Sequence, residues 1–147
     1  MRKFYVIDKY KDLKIEIPQR QTKHSAGYDL ATMEETIIKP QEIVLIKTGL
    51  KVRMADDEVL LVFPRSSLGI KKGLTMANNV GVVDADYFNN SYNEGHIMIP
   101  LLNFSKKSVT LEKNERVAQG IFVKYLKTED DQINDLKRKG GFGSSDS

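Results

Sequence analysis

Apolar residues in this chain come in short β-branched runs, each closed by glycine, asparagine, lysine or proline, a punctuation that favours strands over helices. Ile43 to Met54 (IVLIKTGLKVRM) carries a central glycine and Val59 to Phe63 (VLLVF) stops at Pro64, so both read as strands. The pattern recurs at Val80 to Val83, Ile97 to Leu102, Ser108 to Leu111 and Val117 to Leu126. Short strands at this spacing build a sandwich or barrel. No long window sustains a helical repeat, and the best helical candidates are a turn or two after Arg65 and the stretch Asp130 to Lys137. Pro100, inside an apolar run, is expected to mark an edge or a bulge because it cannot donate to a ladder. The expected class is all-β with little helix.

A chain of 147 residues suits one compact domain, which buries roughly two-thirds of its unfolded surface. The absence of cysteine excludes disulfides, thiolate metal sites and cysteine nucleophiles, so catalysis must use oxygen or nitrogen chemistry. Met1 to Tyr5 lacks the apolar core of a signal peptide and no apolar run reaches the length of a bilayer span, so no membrane contact and a cytoplasmic location are expected. Lysine and arginine (23) exceed aspartate and glutamate (20) by only three, too mild an excess for stable nucleic-acid binding. Local clusters matter more: Arg65, Lys71 and Lys72, and again Lys137 to Lys139, stand beside glycine and serine, where phosphate is well accommodated. From about Thr128 the chain turns polar and ends as KGGFGSSDS, which suits either a frayed tail or a lid over an aromatic phosphate ligand.

Three segments carry candidate chemistry. Pro64 to Gly69 (PRSSLG) offers a guanidinium, two hydroxyls and backbone amides after a strand, which suits phosphate oxygens or a serine-capped helical turn. Gly81 to Tyr87 (GVVDADY) ends a β-branched run in two acids; on a strand Asp84 and Asp86 share a face, as a general base or metal anchor would, or as an acidic turn would. Ala26 to Leu30 (AGYDL) holds an isolated acid in an apolar context. His24 and His96 lack paired ligand spacing and read as surface or structural histidines.

Taken in order, AGYDL (26 to 30), PRSSLG (64 to 69), NNVGVVDADY (78 to 87), ERVAQ (115 to 119) and RKGGFGSS (138 to 145) resemble the five motifs of the trimeric dUTPase family, across nearly the whole chain. The resemblance implies a jelly-roll-like β domain over 1–136, a flexible C-terminal arm over 137–147 that closes the site, and a homotrimer whose active sites are each built from three subunits. It implies that Asp84 acts as general base on the water attacking the α-phosphorus of dUTP, giving dUMP and pyrophosphate. That reaction keeps uracil out of DNA and supplies dUMP for dTMP synthesis. Tyr87 would lie beneath the deoxyribose and exclude UTP, while Asn78 and the adjacent hairpin backbone, with Gly81 and Val83, would read the uracil edge. Such a pocket rejects cytosine because the wrong hydrogen-bond pattern leaves buried groups unpaired.

The same resemblance gives Arg65, Ser66, Ser67 and Gly69 to the phosphates with Gln119 nearby, and implies Mg2+ as cofactor, held by Asp29 through water. In the arm, Phe142 would cover the uracil and Arg138 would reach the γ-phosphate, with Gly143 and Ser144 beside them; Lys137 is the alternative phosphate ligand because the arginine stands two residues before the glycine pair. The arm also lacks a terminal glycine, and Phe88 to Gly95 (FNNSYNEG) is longer than the usual hairpin tip. That insertion leaves room for a regulatory protein partner. The related dCTP deaminases need a catalytic glutamate in the strand after the hairpin, and Ile97 to Leu102 holds no carboxylate.

Overall fold

A computed structural model describes residues 1–131. Its strands are β1 (Lys3–Val6), β2 (Tyr28–Ala31), β3 (Thr36–Ile38), β4 (Ile43–Lys47), β5 (Leu50–Arg53), β6 (Glu58–Pro64), β7 (Leu74–Met76), β8 (Gly81–Asp84), β9 (Met98–Asn103), β10 (Val109–Leu111) and β11 (Arg116–Lys124). One α-helix, α1 (Ser66–Lys72), follows β6 where a helical turn was expected, and short 3-10 turns cover Asp8–Tyr10 and Ala85–Tyr87. The other helical candidate, Asp130 to Lys137, falls mostly outside the described residues. No helix among them is long and apolar enough to cross a membrane.

The strands form an antiparallel four-stranded sheet in the order β2-β11-β6-β8, a three-stranded sheet β4-β9-β7, and two-stranded ribbons β1-β5 and β10-β3. The all-β expectation therefore holds. Leu30, Ile46, Leu60, Ile99, Leu101 and Val117 are fully buried between these layers in one continuous apolar cluster. Alternation along β6 sends Leu60 and Val62 inward and leaves Leu61 and Phe63 on the other face, as a half-buried strand requires.

Two expectations change. Ile43 to Met54 is not one strand: Gly49 adopts φ +75°, and the chain turns there from β4, paired with β9, into β5, paired with β1. Pro100 lies in β9, the central strand of its sheet, opposite Leu45 of β4. Its carbonyl accepts from the Ala77 N–H at 2.9 Å just past the end of β7, so the missing Pro100 N–H costs only the reciprocal bond of the pair at which that ladder ends.

Candidate active site

Gly81, Val83, Asp84, Asn78 and Tyr87 line one cleft of about 310 Å³, together with Val62, Met76 and the β9 residues Met98 to Pro100. Its size is at the lower end of small-molecule sites, about 300–1,000 Å³. The cleft opens because the chain between β7 and β8 changes partner: β7 pairs with β9, β8 pairs with β6, and residues 77–80 turn between two sheets rather than joining a paired hairpin. Asn79 takes φ +62° in that turn and the Val80 N–H donates to the Asn78 carbonyl at 2.7 Å, which presents backbone groups at the cleft. Gly81 keeps the cleft open; a Cβ there would stand 3.2 Å from Val62 Cβ and 3.7 Å from Asn78 Nδ2.

β8 ends at Asp84, which is half-buried and leads into the 3-10 turn Ala85–Tyr87. The expected shared strand face of Asp84 and Asp86 is not formed, because the backbone leaves the ladder at Asp84 and Asp86 is exposed in the turn. Tyr87 is 7% exposed, and its hydroxyl donates to the His96 carbonyl at 2.7 Å and accepts from Asn93 Nδ2 at 2.8 Å.

A second group gathers at the other end of β6. Arg65 is the N-cap of α1 and makes no side-chain cap bond, so Ser66 and Ser67 are the first two helical residues and not its caps. The serine-capped alternative is thereby removed. A bulge in β11 between Arg116 and Ala118 lets the Arg65 N–H reach the Val117 carbonyl at 3.5 Å. Gln119 pairs with Phe63 on one side and Asp29 on the other, so Asp29, Gln119 and Phe63 share a face. Gly27 lies directly beneath Gln119, whose Oε1 is 2.3 Å from where a Cβ at 27 would stand, so a side chain there would displace the Gln119 amide. Asp29 also pairs with Arg116 at 3.8 Å, and both line a cavity of about 520 Å³, an association not anticipated because the pairing of β2 with β11 joins residues far apart in sequence.

The two groups do not meet within one chain. Asp84 pairs with Val59 at the start of β6, whereas Arg65 follows its last residue, Pro64. Six residues of strand separate those positions, roughly 20 Å at ~3.3 Å per residue. The sheet face between them is apolar and open: Val82 is 62% exposed and Val123 40%, with Leu61 and Ile121 half-buried alongside Val82 in register. Asp84 stands at one end of this face and Asp29 with Gln119 at the other.

The insertion Phe88 to Gly95 is tied down. Lys51, 7% exposed, donates to Asn89 Oδ1 and Glu94 Oε2, each at 2.6 Å. Partial burial pushes the Glu94 carboxyl up, but the Lys51 ammonium and the Asp8 N–H together pull it below the ordinary glutamate value. His96 is structural, as expected: Nε2 accepts the Gly49 N–H at 2.9 Å, and burial, helped by Lys9 and Lys47, pushes its pKa down to about 4. His24 is exposed. Arg138, Phe142, Gly143 and Ser144, with the alternative Lys137, lie outside the described residues.

The dUTPase family model matches residues 13–146. The deoxyuridine 5'-triphosphate nucleotidohydrolase of Lactococcus lactis subsp. lactis is 48% identical over 146 residues, 99% of this chain and 97% of that protein. The crystal structure of dUTPase from Streptococcus mutans superposes with a TM-score of 0.83 at 46% identity, covering 86% of this chain and 98% of that one. A mutant dUTPase from phage phi11 of S. aureus, whose structure reveals the coordination of a structural Mg(II) ion, shares the fold at a TM-score of 0.73 and 21% identity, over 94% and 99% of the two chains. With its β architecture, its cleft around Asp84 and Tyr87 and a match over nearly its whole length, the chain belongs to the dUTPase family.

Proposed function

We propose that this chain hydrolyses dUTP to dUMP and pyrophosphate in sites shared between the subunits of a homotrimer, clearing the nucleotide that would put uracil into DNA and supplying dUMP for dTMP synthesis. The observation that carries the proposal is the separation along β6: a nucleoside-sized cleft with its carboxylate at one end, a cationic and hydroxyl group suited to phosphates at the other, and an open apolar sheet face between. A second copy docked on that face covers Val82 and Val123 and brings its Arg65 group toward the first copy's Asp84.

In this reading uracil and deoxyribose enter the cleft. Asn78 and the backbone of residues 79–83 meet the polar edge of the base, and the Tyr87 ring lies against the sugar where a 2′-hydroxyl would be. Arg65, Ser66, Ser67 and Gln119 hold phosphate oxygens, the guanidinium by paired charge-assisted bonds. Asp84 takes the proton from a water as its oxygen bonds to the α-phosphorus, and the bond from that phosphorus to the bridging oxygen breaks in line. Pyrophosphate leaves with the electron pair, and Asp84 returns the proton to solvent.

Among the described residues no three acid, histidine or cysteine side chains gather into a metal cage. Asp29, one carboxylate beside Gln119, fits an ion that arrives on the phosphates and keeps most of its waters, as Mg2+ does. Asp29 would hold it through a water, and its charge would offset that on the phosphate oxygens. Arg138 and Phe142, assigned from the family resemblance, would complete the site from the third subunit.

The test is pyrophosphate release from dUTP, dCTP, dTTP and UTP with magnesium, alongside identification of the nucleoside product. Release from dUTP alone is expected, with Asp84→Asn slower by about 100-fold or more. Ammonia from dCTP would mark a deaminase, and silence across the panel would remove the enzymatic reading.

A further inference from the structure

The loop from Phe88 to Gly95 takes no part in the chemistry above, yet its bonds converge on Tyr87. Asn93 Nδ2 donates to the Tyr87 hydroxyl at 2.8 Å, and that hydroxyl donates to the His96 carbonyl at 2.7 Å. Asn90 Nδ2 donates to the Tyr87 carbonyl at 2.7 Å and to Asn93 Oδ1 at 2.8 Å, so one amide pair grips both ends of the same residue. Gly95, at φ +88°, passes so close that a Cβ there would stand 2.7 Å from the Tyr87 carbonyl oxygen. Asn89 and Glu94 both sit at positive φ, a conformation held by the two bonds from Lys51.

The geometry bears on what a tyrosine beneath a sugar must do. A 2′-hydroxyl adds a single oxygen atom, so a ring able to retreat by about an ångström would admit it; displacements of that size are known to change rates by about 100-fold. The tyrosine hydroxyl lies on the axis of the ring, so fixing it together with the residue's carbonyl leaves the ring free to spin about that axis but not to tilt away. Steric refusal of ribose requires that stiffness.

We propose that Asn93, braced by Asn90, is a positioning residue that holds Tyr87 against the sugar, and that the 88–95 loop thereby sets how strictly this enzyme refuses UTP. The inference rests on the reading of Tyr87 as the sugar contact.

The experiment measures kcat/KM for dUTP and for UTP on the same preparations of wild type, Asn93→Ala, Tyr87→Phe, their double variant and Tyr87→Ala. A folding defect lowers both rates by one factor and leaves their ratio unchanged, so the ratio separates positioning from stability. Asn93→Ala and Tyr87→Phe are each expected to lower the preference for dUTP by about 5-fold, the scale of one hydrogen bond. The double variant should lose little more than Tyr87→Phe, because that change already removes the Asn93 contact along with the bond to the His96 carbonyl. If Asn93→Ala does not fold, Asn93→Asp takes its place, since it keeps an oxygen for Asn90 Nδ2 and the Gly95 N–H but cannot donate to the Tyr87 hydroxyl. An unchanged ratio in either single variant, with the preference collapsed in Tyr87→Ala, overturns the role of Asn93 and leaves that of Tyr87 standing. An unchanged ratio in Tyr87→Ala removes the sugar contact itself, and the inference with it.

Discussion

Arg65→Ala strips the guanidinium from one end of β6 and Asp84→Asn neutralises the carboxylate at the other, so each homogeneous protein should be close to inactive. Those positions lie roughly 20 Å apart in one chain at ~3.3 Å per strand residue, too far for one nucleotide to have its α-phosphorus at the first and its phosphate oxygens at the second. If each site takes Asp84 from one subunit and Arg65 from another, a mixed trimer can contain intact sites although neither parent does. In an equimolar mixture assembled at random, half the chains carry Asp84 and the other half carry Arg65, so about one quarter of the sites receive both. The assay is to unfold the two variants together in urea, refold them as a mixture, and compare pyrophosphate release per chain with wild type refolded alone. Recovery to about a quarter of that rate is expected. A mixture no more active than the sum of its separately refolded parents would refute the shared site and require Asp84 and Arg65 to act within one chain.

Acid should weaken the fold through His96. The unfolded histidine takes its proton near 6.5 and the folded one near 4, so the unfolded chain binds more protons between those values; stability is full above pH 7 and falls by about 3 kcal/mol as pH drops to 4. Urea titrations at a series of pH values measure this, and His96→Leu should flatten that interval whatever else it costs. Gly95→Ala forces a side chain into a left-handed backbone 2.7 Å from the Tyr87 carbonyl oxygen and should cost on the order of 2 kcal/mol, read by denaturation, with a loss of dUTP turnover beyond the change in folded fraction. Ending the chain before Gly140 should leave the denaturation midpoint in place and reduce hydrolysis by an order of magnitude or more, on the scale of a lost site-closing element; a midpoint that falls instead would assign the tail to the core.

Strands that bury β-branched residues on their own were legible in the sequence. β6, β9, β10 and β11 begin and end within about two residues of the runs that announced them, the usual uncertainty at element ends. β2 and β7 were not read as strands, because AGYDL and LTM are too short to show alternation and owe their form to partners, β11 and β9, distant in the chain. The same non-locality hid Pro100, whose missing N–H matters only in relation to where β7 ends. The residues singled out in sequence fall into two sets in space: Asp84, Tyr87, Asn78, Gly81 and Val83 line one cleft, while Gln119 and Asp29 pair across β11 and β2 and Arg65, Ser66 and Ser67 open α1 just past the end of β6. What no local pattern could disclose was the register of β8 on β6, which sends these two sets to opposite ends, or the arrangement of Asn90 and Asn93, visible in sequence only as an excess of turn-forming residues.

In the shared-site reading β6 is a spacer of set length as well as a core strand. Inserting two residues into it would preserve which side chains face the core, since strand alternation has period two, and would lengthen the gap between Asp84 and Arg65 by about 7 Å. If the sites are shared in a trimer as proposed, every copy carries the same strand and a neighbour would be mismatched by that increment at all sites at once. A change in the 88–95 loop acts within one subunit's own cleft, whereas in the proposed trimer β6 has to match a neighbour, so a fold that tolerates its elongation would still be expected to lose every active site together.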